Sequence, residues 1–378
     1  MQKTSVSQAA DDVVPCVPNL KLAQLAFNLG QSSFSDKNQA EQQLRQGIED
    51  DGKFELSCDM ANTAHWIANM APFCDMLMQT RILNHDQQLL DRLRQKNSAE
   101  LAKLQETLDD ARANLGETEV SDALRARAMF LARIGDKDAA IAAHEEAIEK
   151  TPGLGTKIDL RLTMIRIGFF YGDHQIISTN VDKTQGRAKT TFVRSFAALA
   201  DCPSDLLHSH RLVDEGGDWD RRNRLKAYEG LYLLSIRNFK RGGELLLDVL
   251  STFTATELLD YDEFVTLCVI AGALILDRKD LKKKIIDAPE VIALIPTTPS
   301  LSDYCASLWK CDYNAFFRAL AKVEETHFLK SRLLSPHTRY YVREMRIKAY
   351  AQLLESYRSV TLTSLCDAFG VSQSFMDA

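Results

Sequence analysis

The stretch DALRARAMFLARIGDKDAAIAAHEEAIEK, residues 122–150, predicts two paired helices joined by a tight turn. Apolar residues recur at helical spacing in its first half, at Leu124, Ala128, Leu131 and Ala132. Gly135 begins the turn GDKD, and the chain then returns as a second helix over residues 139–150. Alanines on both helices allow the two backbones to approach closely. The stretch therefore predicts a helical hairpin, which is the repeating unit of many all-helical folds.

The same hairpin pattern recurs further along the chain. Helical periodicity returns over residues 157–171, which end at a Gly-Asp turn, and over residues 224–236, which end at an Arg-Asn turn. A helix pair of this kind is typical of tetratricopeptide (TPR) repeats, whose period is about 34 residues, although their full consensus is absent. We therefore predict an all-α fold built as a TPR-like helical repeat array.

The spacing of the turns indicates one interruption of this array. Gly135 and Gly172 are 37 residues apart, whereas Gly172 and Arg237 are 65 apart. Removing about 25 residues would restore the period. We place the excess in residues 186–210, as either a loop insertion or translated intron sequence.

Helices also flank the repeats. After a polar, proline-containing start, residues 20–30 predict a short amphipathic helix that Gly30 ends. A long apolar stripe then predicts a helix from an N-cap at Asn84 to Gly116, roughly 45 Å long. This helix forms a dimeric coiled coil, packs on its own chain or is presented to a neighbouring subunit. Further helices are expected over residues 244–253, 262–276, 301–309, 312–327 and 335–358.

The last residues predict a helix-turn-helix. Residues 361–369 form a short amphipathic helix, Gly370 permits a sharp turn, and Ser372 caps a second helix.

Composition excludes several classes of protein. The chain has 378 residues, a formal net charge of −6 and eight cysteines without a CxxC pair, which predicts free thiols and no metal site. No signal peptide is recognised, and the most apolar stretch, residues 264–276, is too short to span a membrane. Phosphate-loop, dinucleotide-binding and nucleophile-elbow motifs are absent from the sequence. We therefore expect no enzyme activity, no cofactor and no small-molecule substrate.

Two clusters of aromatic and basic residues are the candidate partner surfaces. The first, residues 216–226, contains three arginines and a tryptophan, a set that suits phosphate or nucleic-acid binding. Because the chain is negatively charged overall, we favour a helix start whose arginines pair with acidic residues and whose tryptophan is a packing anchor. The second, residues 339–350, places Tyr341, Met345 and Lys348 on one helical face and Tyr340, Glu344, Ile347 and Leu354 on another. Tyrosine and arginine are enriched at interfaces. The predicted interface residues are Trp219, Arg221, Arg222, Tyr340, Tyr341, Arg343, Arg346, Tyr350 and Phe369.

Several long stretches resemble the PCI-domain subunits of the proteasome lid. These stretches are IGDKDAAI (134–141), RIGFFYGD (166–173), EGGDWDRRNRLKAYEGLY (215–232), STFTATELLDYDEFV (251–265) and SPHTRYYVREMRIKAYAQLLESYRSVTL (335–362). The resemblance implies a helical-repeat arm that leads into a PCI module, meaning a helical subdomain followed by a winged helix. It also implies a structural role in lid assembly, with other PCI-domain lid subunits and the ATPase ring as partners, in the cytoplasm and nucleus.

Together with the sequence patterns, the resemblance predicts a domain organisation. Two alternative functions stay open. We expect a disordered extension (1–19), a helical region with the long helix (20–118), TPR-like pairs (119–243) and a PCI domain (244–378) whose winged helix is incomplete. A second excess is expected at residues 52–68. The alternatives are a subunit of the related signalosome complex, and a nucleic-acid-binding regulator that uses the terminal helix-turn-helix. The latter is disfavoured because no wing follows the second helix in this sequence.

Overall fold

Helical hairpins dominate the structure, a computed structural model that describes residues 17–31, 36–49, 70–83, 86–185, 219–355 and 360–373. These ranges contain helices and turns and no strand, which confirms the predicted all-α class. The predicted excesses at residues 52–68 and 186–210, residues 1–16 of the N-terminal extension and Asn84 lie outside the described residues. The chain divides into two compact units, Met1–Arg222 and Asn223–Ala378. The predicted domain boundaries at residues 118 and 243 stay predictions.

The described part of the first unit contains eight complete helices. They are α1 (Leu20–Gly30), α2 (Lys37–Glu49), α3 (Ala71–Gln79), α4 (Gln87–Asn114), α5 (Glu117–Ile134), α6 (Lys137–Lys150), α7 (Leu154–Tyr171) and α8 (His174–Gln185). Helix α9 (Trp219–Ser235) begins in this unit and continues into the second.

The two predicted hairpins of the first unit are present, as α5–α6 and α7–α8. Gly135 and Gly172 end the first helix of each pair in the left-handed conformation, at φ 77° and φ 70°, where a side chain would be strained. The aspartate that follows each glycine then caps the next helix. Asp136 accepts a hydrogen bond from the Ala139 amide at 3.1 Å, and Asp173 accepts one from the Gln175 amide at 3.0 Å.

The long helix α4 packs on its own chain, against α5, which was one of the three predicted alternatives. Its stripe buries leucines at both ends, including Leu90, Leu93 and Leu108. The capping residue is Asp86, whose carboxylate accepts from the Leu89 amide at 3.1 Å, so the helix starts later than the predicted Asn84 cap implies. An aspartate is an equally good cap, and the apolar pattern alone does not choose between neighbouring polar residues.

The described part of the second unit continues with shorter helices. They are α10 (Phe239–Asp248), α11 (Tyr261–Ile275), α12 (Arg278–Leu281), α13 (Pro289–Leu294), α14 (Pro299–Lys310), α15 (Tyr313–Val323), α16 (Thr338–Leu354) and α17 (Leu362–Phe369). Wider π-helical turns follow α12 at Lys282–Ile286 and α15 at Glu324–Phe328.

Helix α11 forms the centre of the second unit. Phe264, Val265, Cys268 and Ala271 are among its buried residues, and each large apolar side chain contributes about 2 kcal/mol by leaving water. Helices α10, α13, α14 and α16 all contact α11. The apolar run that is too short for a membrane is therefore a buried core helix, as predicted, and no described helix is long and apolar enough to cross a bilayer.

The start of α16 and the turn after α17 test two predictions for the C-terminal part of the chain. Ser335–His337 form a short 3₁₀ turn, and His337 occupies the N-cap position of α16, so this helix begins three residues later than the predicted range 335–358. Helix α17 is capped by the Thr361 hydroxyl, and Gly370 makes the predicted turn at φ 64°. Of the second helix of the predicted helix-turn-helix, Gln373 is the last described residue, and residues 374–378 lie outside the described residues.

Candidate partner-binding surface

Helix α16, which carries most of the predicted interface residues, is held to the second unit by one face. Tyr341, Met345 and Ala349 are fully buried on that face. The Tyr341 hydroxyl donates to the carbonyl of Ile270 in α11 at 2.8 Å and pairs with the Tyr304 hydroxyl at 2.7 Å. Tyr341 is therefore a core residue, and its placement at a partner interface was wrong.

Two polar side chains further along α16 bind the ends of neighbouring helices. The Lys348 ammonium donates to the carbonyls of Ala273, Leu274 and Leu276 at 2.7, 3.1 and 2.6 Å, which satisfies the C-terminal end of α11. Burial lowers the pKa of Lys348 to about 8, against an opposing effect of Asp277.

Gln352 makes the corresponding contact at the end of α14. Its amide donates to the Leu308 carbonyl at 3.1 Å and contacts the Cys311 sulfur at 3.0 Å. The sequence pattern predicts no role for Gln352 and places Lys348 only on a face of the helix. Lys348 and Gln352 bind carbonyl groups at the ends of α11 and α14. Helical periodicity does not predict which helix ends pack against α16, so it could not predict these contacts.

The opposite face of α16 points away from this core. Arg343, Ile347 and Leu354 are spaced four and seven residues apart, so they lie along one side of the helix. Ile347 and Leu354 are each 50% exposed, and the Arg343 side chain is 68% exposed, with an ion pair to Glu344 at 2.8 Å. Exposed apolar side chains beside an arginine are typical of a surface that binds a protein partner. We call these three residues the outer face of α16.

Tyr340 lies beside this outer face and is held in place by its neighbours. Its ring stacks on Phe239 with centroids 6.0 Å apart. The guanidinium groups of Arg237 and Arg343 lie 5.4 and 5.7 Å from the ring centroid, within the range of cation–π attraction. The half-buried Tyr340 therefore orients Arg343 toward the outer face. Arg346, also a predicted interface residue, is half-buried.

Tyr350 and Phe369 join α16 to the terminal helix α17. The ring centroid of Phe369 lies 4.7 Å from that of Tyr350, 4.9 Å from Tyr313 and 5.0 Å from Phe317. Phe369 is the one fully buried residue among those described in α17. Its predicted place at a partner interface was wrong because its side chain is enclosed by these three rings. Tyr350 remains partly exposed.

Residues 219–226 of the first predicted cluster form the first two turns of α9, and residues 216–218 lie outside the described residues. Arg221 forms a two-pronged ion pair with Asp159 of α7, at 3.1 and 2.9 Å, which agrees with the alternative that its arginines pair with acidic residues. Trp219 is 60% exposed, so it is not the packing anchor of that alternative. Arg222 is exposed. The structure therefore leaves Trp219 and Arg222 at the surface and engages Arg221 within the chain.

The described residues contain no group of three or more histidine, cysteine, aspartate or glutamate side chains that could hold a metal ion. Cys268 and Cys305 are free, buried thiols, and burial raises the pKa of both. Their use as small apolar residues agrees with the prediction from cysteine spacing.

Two family models match the chain. The model described as 26S proteasome subunit RPN7 matches residues 86–192 and 202–284, and the model of the PCI domain matches residues 311–378. The first match leaves out residues 193–201, which lie within the predicted insertion. The PCI match starts later than residue 244.

Curated relatives give the same result. The chain is 40% identical over 308 residues to the 26S proteasome non-ATPase regulatory subunit 6 homolog of Arabidopsis thaliana, which covers 82% of this chain and 73% of the relative. It is 40% identical to the Dictyostelium discoideum subunit 6, over 82% of this chain and 74% of the relative. It is 32% identical over 387 residues to regulatory subunit RPN7 of Saccharomyces cerevisiae, which covers 100% of this chain and 84% of the relative. The chain belongs to the RPN7 family of 26S proteasome regulatory subunits and contains a PCI domain.

Proposed function

We propose that this chain is a non-catalytic structural subunit of the lid of the 26S proteasome regulatory particle. In that role it supports lid assembly for ATP- and ubiquitin-dependent protein degradation. The observation that carries this proposal is the 40% identity over 82% of the chain to regulatory subunits 6 of two distant organisms. Its partners are other PCI-domain lid subunits and the ATPase ring, and it acts in the cytoplasm and nucleus.

The outer face of α16 is the surface that we assign to a lid partner. Ile347 and Leu354 expose apolar area that the described residues do not cover, and Tyr340 holds Arg343 beside them. Burial of two half-exposed apolar side chains by a partner would contribute about 1 kcal/mol each. The inner face, with Tyr341 and Lys348, makes the helix a rigid support for this surface.

Affinity purification of the full chain, tagged at its N-terminus, tests the proposed complex. Mass spectrometry should recover other lid subunits together with the ATPase ring. Recovery of signalosome subunits in their place would reassign the chain to that complex, and recovery of neither would overturn the proposal. A gel shift at low salt with duplex DNA tests the nucleic-acid alternative, for which we expect no retarded band.

A second experiment tests the outer face itself. Ile347→Asp places a charge in the proposed interface and should strongly reduce recovery of lid subunits, because a buried unpaired carboxylate is costly. The matched control is Leu115→Asp, since Leu115 is 56% exposed and lies in the first unit, and it should leave recovery unchanged. Circular dichroism should show equal helix content in both variants. Equal recovery with Ile347→Asp and wild type would remove the outer face of α16 from the interface.

A further inference from the structure

A dense basic segment lies on the surface of the second unit, outside the surface already described. Helix α12 and the π-helical turn after it run together from Arg278 to Ile286. Leu281 and Ile285 bury their side chains and hold the segment to the unit, while the basic residues between and beside them are exposed. We call these residues the basic segment: Arg278, Lys279, Lys282, Lys283 and Lys284.

The lysines of the basic segment lack ion pairs. Asp280 and Asp287 lie in the same stretch, yet none of the four lysines forms an ion pair with any residue that the structure describes. Some exposed basic side chains elsewhere in this unit have acidic partners, as in the pair of Lys226 with Asp248. In a chain of net charge −6, adjacent cations without partners repel one another and are left available for an external anion.

Trp309 fixes one side of the basic segment. The Lys282 ammonium lies 4.8 Å from the Trp309 ring centroid, and the Arg278 guanidinium lies 5.8 Å from it. The Arg278 guanidinium also donates to the Trp309 carbonyl at 2.8 Å. Two of the five cations are therefore held before any partner arrives, which lowers the conformational entropy lost on binding. Lys310, which follows Trp309, is also exposed and adds a cation at this edge.

The wide turn contributes to the same arrangement. A π-helical turn inserts an extra residue per turn into a helix, and such turns occur frequently at functional sites. Here the turn contains Lys282, Lys283 and Lys284, all exposed, while it keeps Ile285 in the core. Three consecutive lysines therefore stay at the surface while the buried Ile285 still holds the turn to the core.

We propose that the basic segment binds an acidic, carboxylate-rich segment of a partner protein. The nine residues of α12 and the π-helical turn span about 13 Å, the reach of roughly four extended residues. Cations occupy the ring of Trp309, so this ring does not offer the open face that a nucleic-acid base needs for stacking. Asp280 and Asp287 interrupt the positive charge, which suits spaced carboxylates better than a continuous phosphate backbone. This inference does not depend on the proposed lid role.

Fluorescence anisotropy with the full chain and a labelled oligoglutamate peptide tests this inference. The wild-type chain should bind the peptide at low ionic strength. Its affinity should fall as salt is added, because salt screens the attraction between the charges. Joint substitution of Lys282→Gln, Lys283→Gln and Lys284→Gln should weaken binding about tenfold, as expected for three exposed charges. The matched control replaces Lys96, Lys103 and Lys150 by Gln, which changes the net charge equally at exposed sites of the first unit.

The outcomes separate the inference from its alternatives. A weakening confined to the first triple variant supports the basic segment as the binding site. Equal weakening in both triple variants would show that only net charge matters, and it would overturn the inference. Tighter binding of a labelled oligothymidylate of equal charge would also overturn it, in favour of nucleic acid. Unchanged thermal unfolding of both variants verifies that the fold is retained.

Discussion

Tyr341 shows at the scale of one residue how a predicted contact surface can belong to the core. Its hydroxyl connects three helices, because it donates to Ile270 of α11 and pairs with Tyr304 of α14. We expect Tyr341→Phe to lower the free energy of unfolding by about 1–2 kcal/mol, since the buried Tyr304 hydroxyl loses its partner. Urea denaturation measures the loss. Recovery of partner proteins should stay unchanged, and a selective loss of partners at full stability would return Tyr341 to the interface.

His144 makes stability depend on pH. It is fully buried in α6, its Nδ1 lies 2.7 Å from the Ala140 carbonyl, and Nε2 has no hydrogen-bond partner among the described residues. Burial lowers the pKa of His144 to about 4, against a smaller raising effect of the Ala140 carbonyl. The unfolded chain, with a histidine pKa of about 6.5, therefore binds the proton more tightly, and stability falls as pH decreases from about 6.5 toward 4.

Two variants isolate this effect from other titrating groups. His144→Leu and His144→Gln do not titrate, and the Ala140 carbonyl keeps its bond within the helix. Relative to wild type, both should gain roughly 2 kcal/mol in the free energy of unfolding between about pH 7 and about pH 5. Urea denaturation at the two pH values provides the measurement. If the difference between wild type and both variants is the same at the two pH values, His144 is not the responsible group.

At the scale of the element, α17 depends on one side chain. Phe369 inserts between Tyr313, Phe317 and Tyr350, and it is the one fully buried residue among those described in this helix. An isolated helix of eight residues is not stable in water. We expect Phe369→Ala to release α17 while α11 and α14 stay folded. Hydrogen exchange should then be fast across residues 362–369 and slow in α11.

A matched control for this variant is Asp367→Ala, which removes an exposed side chain of the same helix. It should leave the exchange of α17 unchanged. Slow exchange of α17 in Phe369→Ala would mean that contacts other than the aromatic cluster hold the helix.

The hairpins could be predicted because their signals are local. Gly135 and Gly172 end helices at positive φ, and the aspartate after each glycine caps the next helix within four residues. Helix α2 was missed because it is polar overall and buries only Ala40, Leu44 and Ile48 among its described apolar side chains. Helices α12 and α13 were missed because a π-helical turn changes the period between them.

The candidate surface was predictable only in part. Helical spacing correctly separated Ile347 and Leu354 from Tyr341 and Met345. It could not show that Lys348 satisfies three carbonyls of α11 or that three rings enclose Phe369, because those contacts join residues far apart in the sequence. Enrichment of tyrosine at interfaces is a statistical tendency, and burial decides each individual case.

At the scale of the whole molecule, the fold class could be predicted from the sequence because helices that are consecutive in the chain pack against each other. The most extensive helix contacts join consecutive helices, such as α5 with α6, α7 with α8 and α14 with α15. In a repeat array each unit buries its apolar face on the next one, so the order of the chain largely determines the packing. An insertion between repeats then needs little adjustment of the rest.

Residues 193–201 provide the final prediction, because the RPN7 family model matches the chain on both sides and omits them. The turn spacing independently places an excess within residues 186–210. We expect deletion of residues 193–201 to leave the thermal midpoint and the recovery of partners unchanged, since the family fold does not require these residues. Deletion of the nine residues 177–185 is the control, and it should destabilise the chain because it removes the buried Ile177 and Val181. A midpoint lowered equally by both deletions would show that residues 193–201 belong to the folded array.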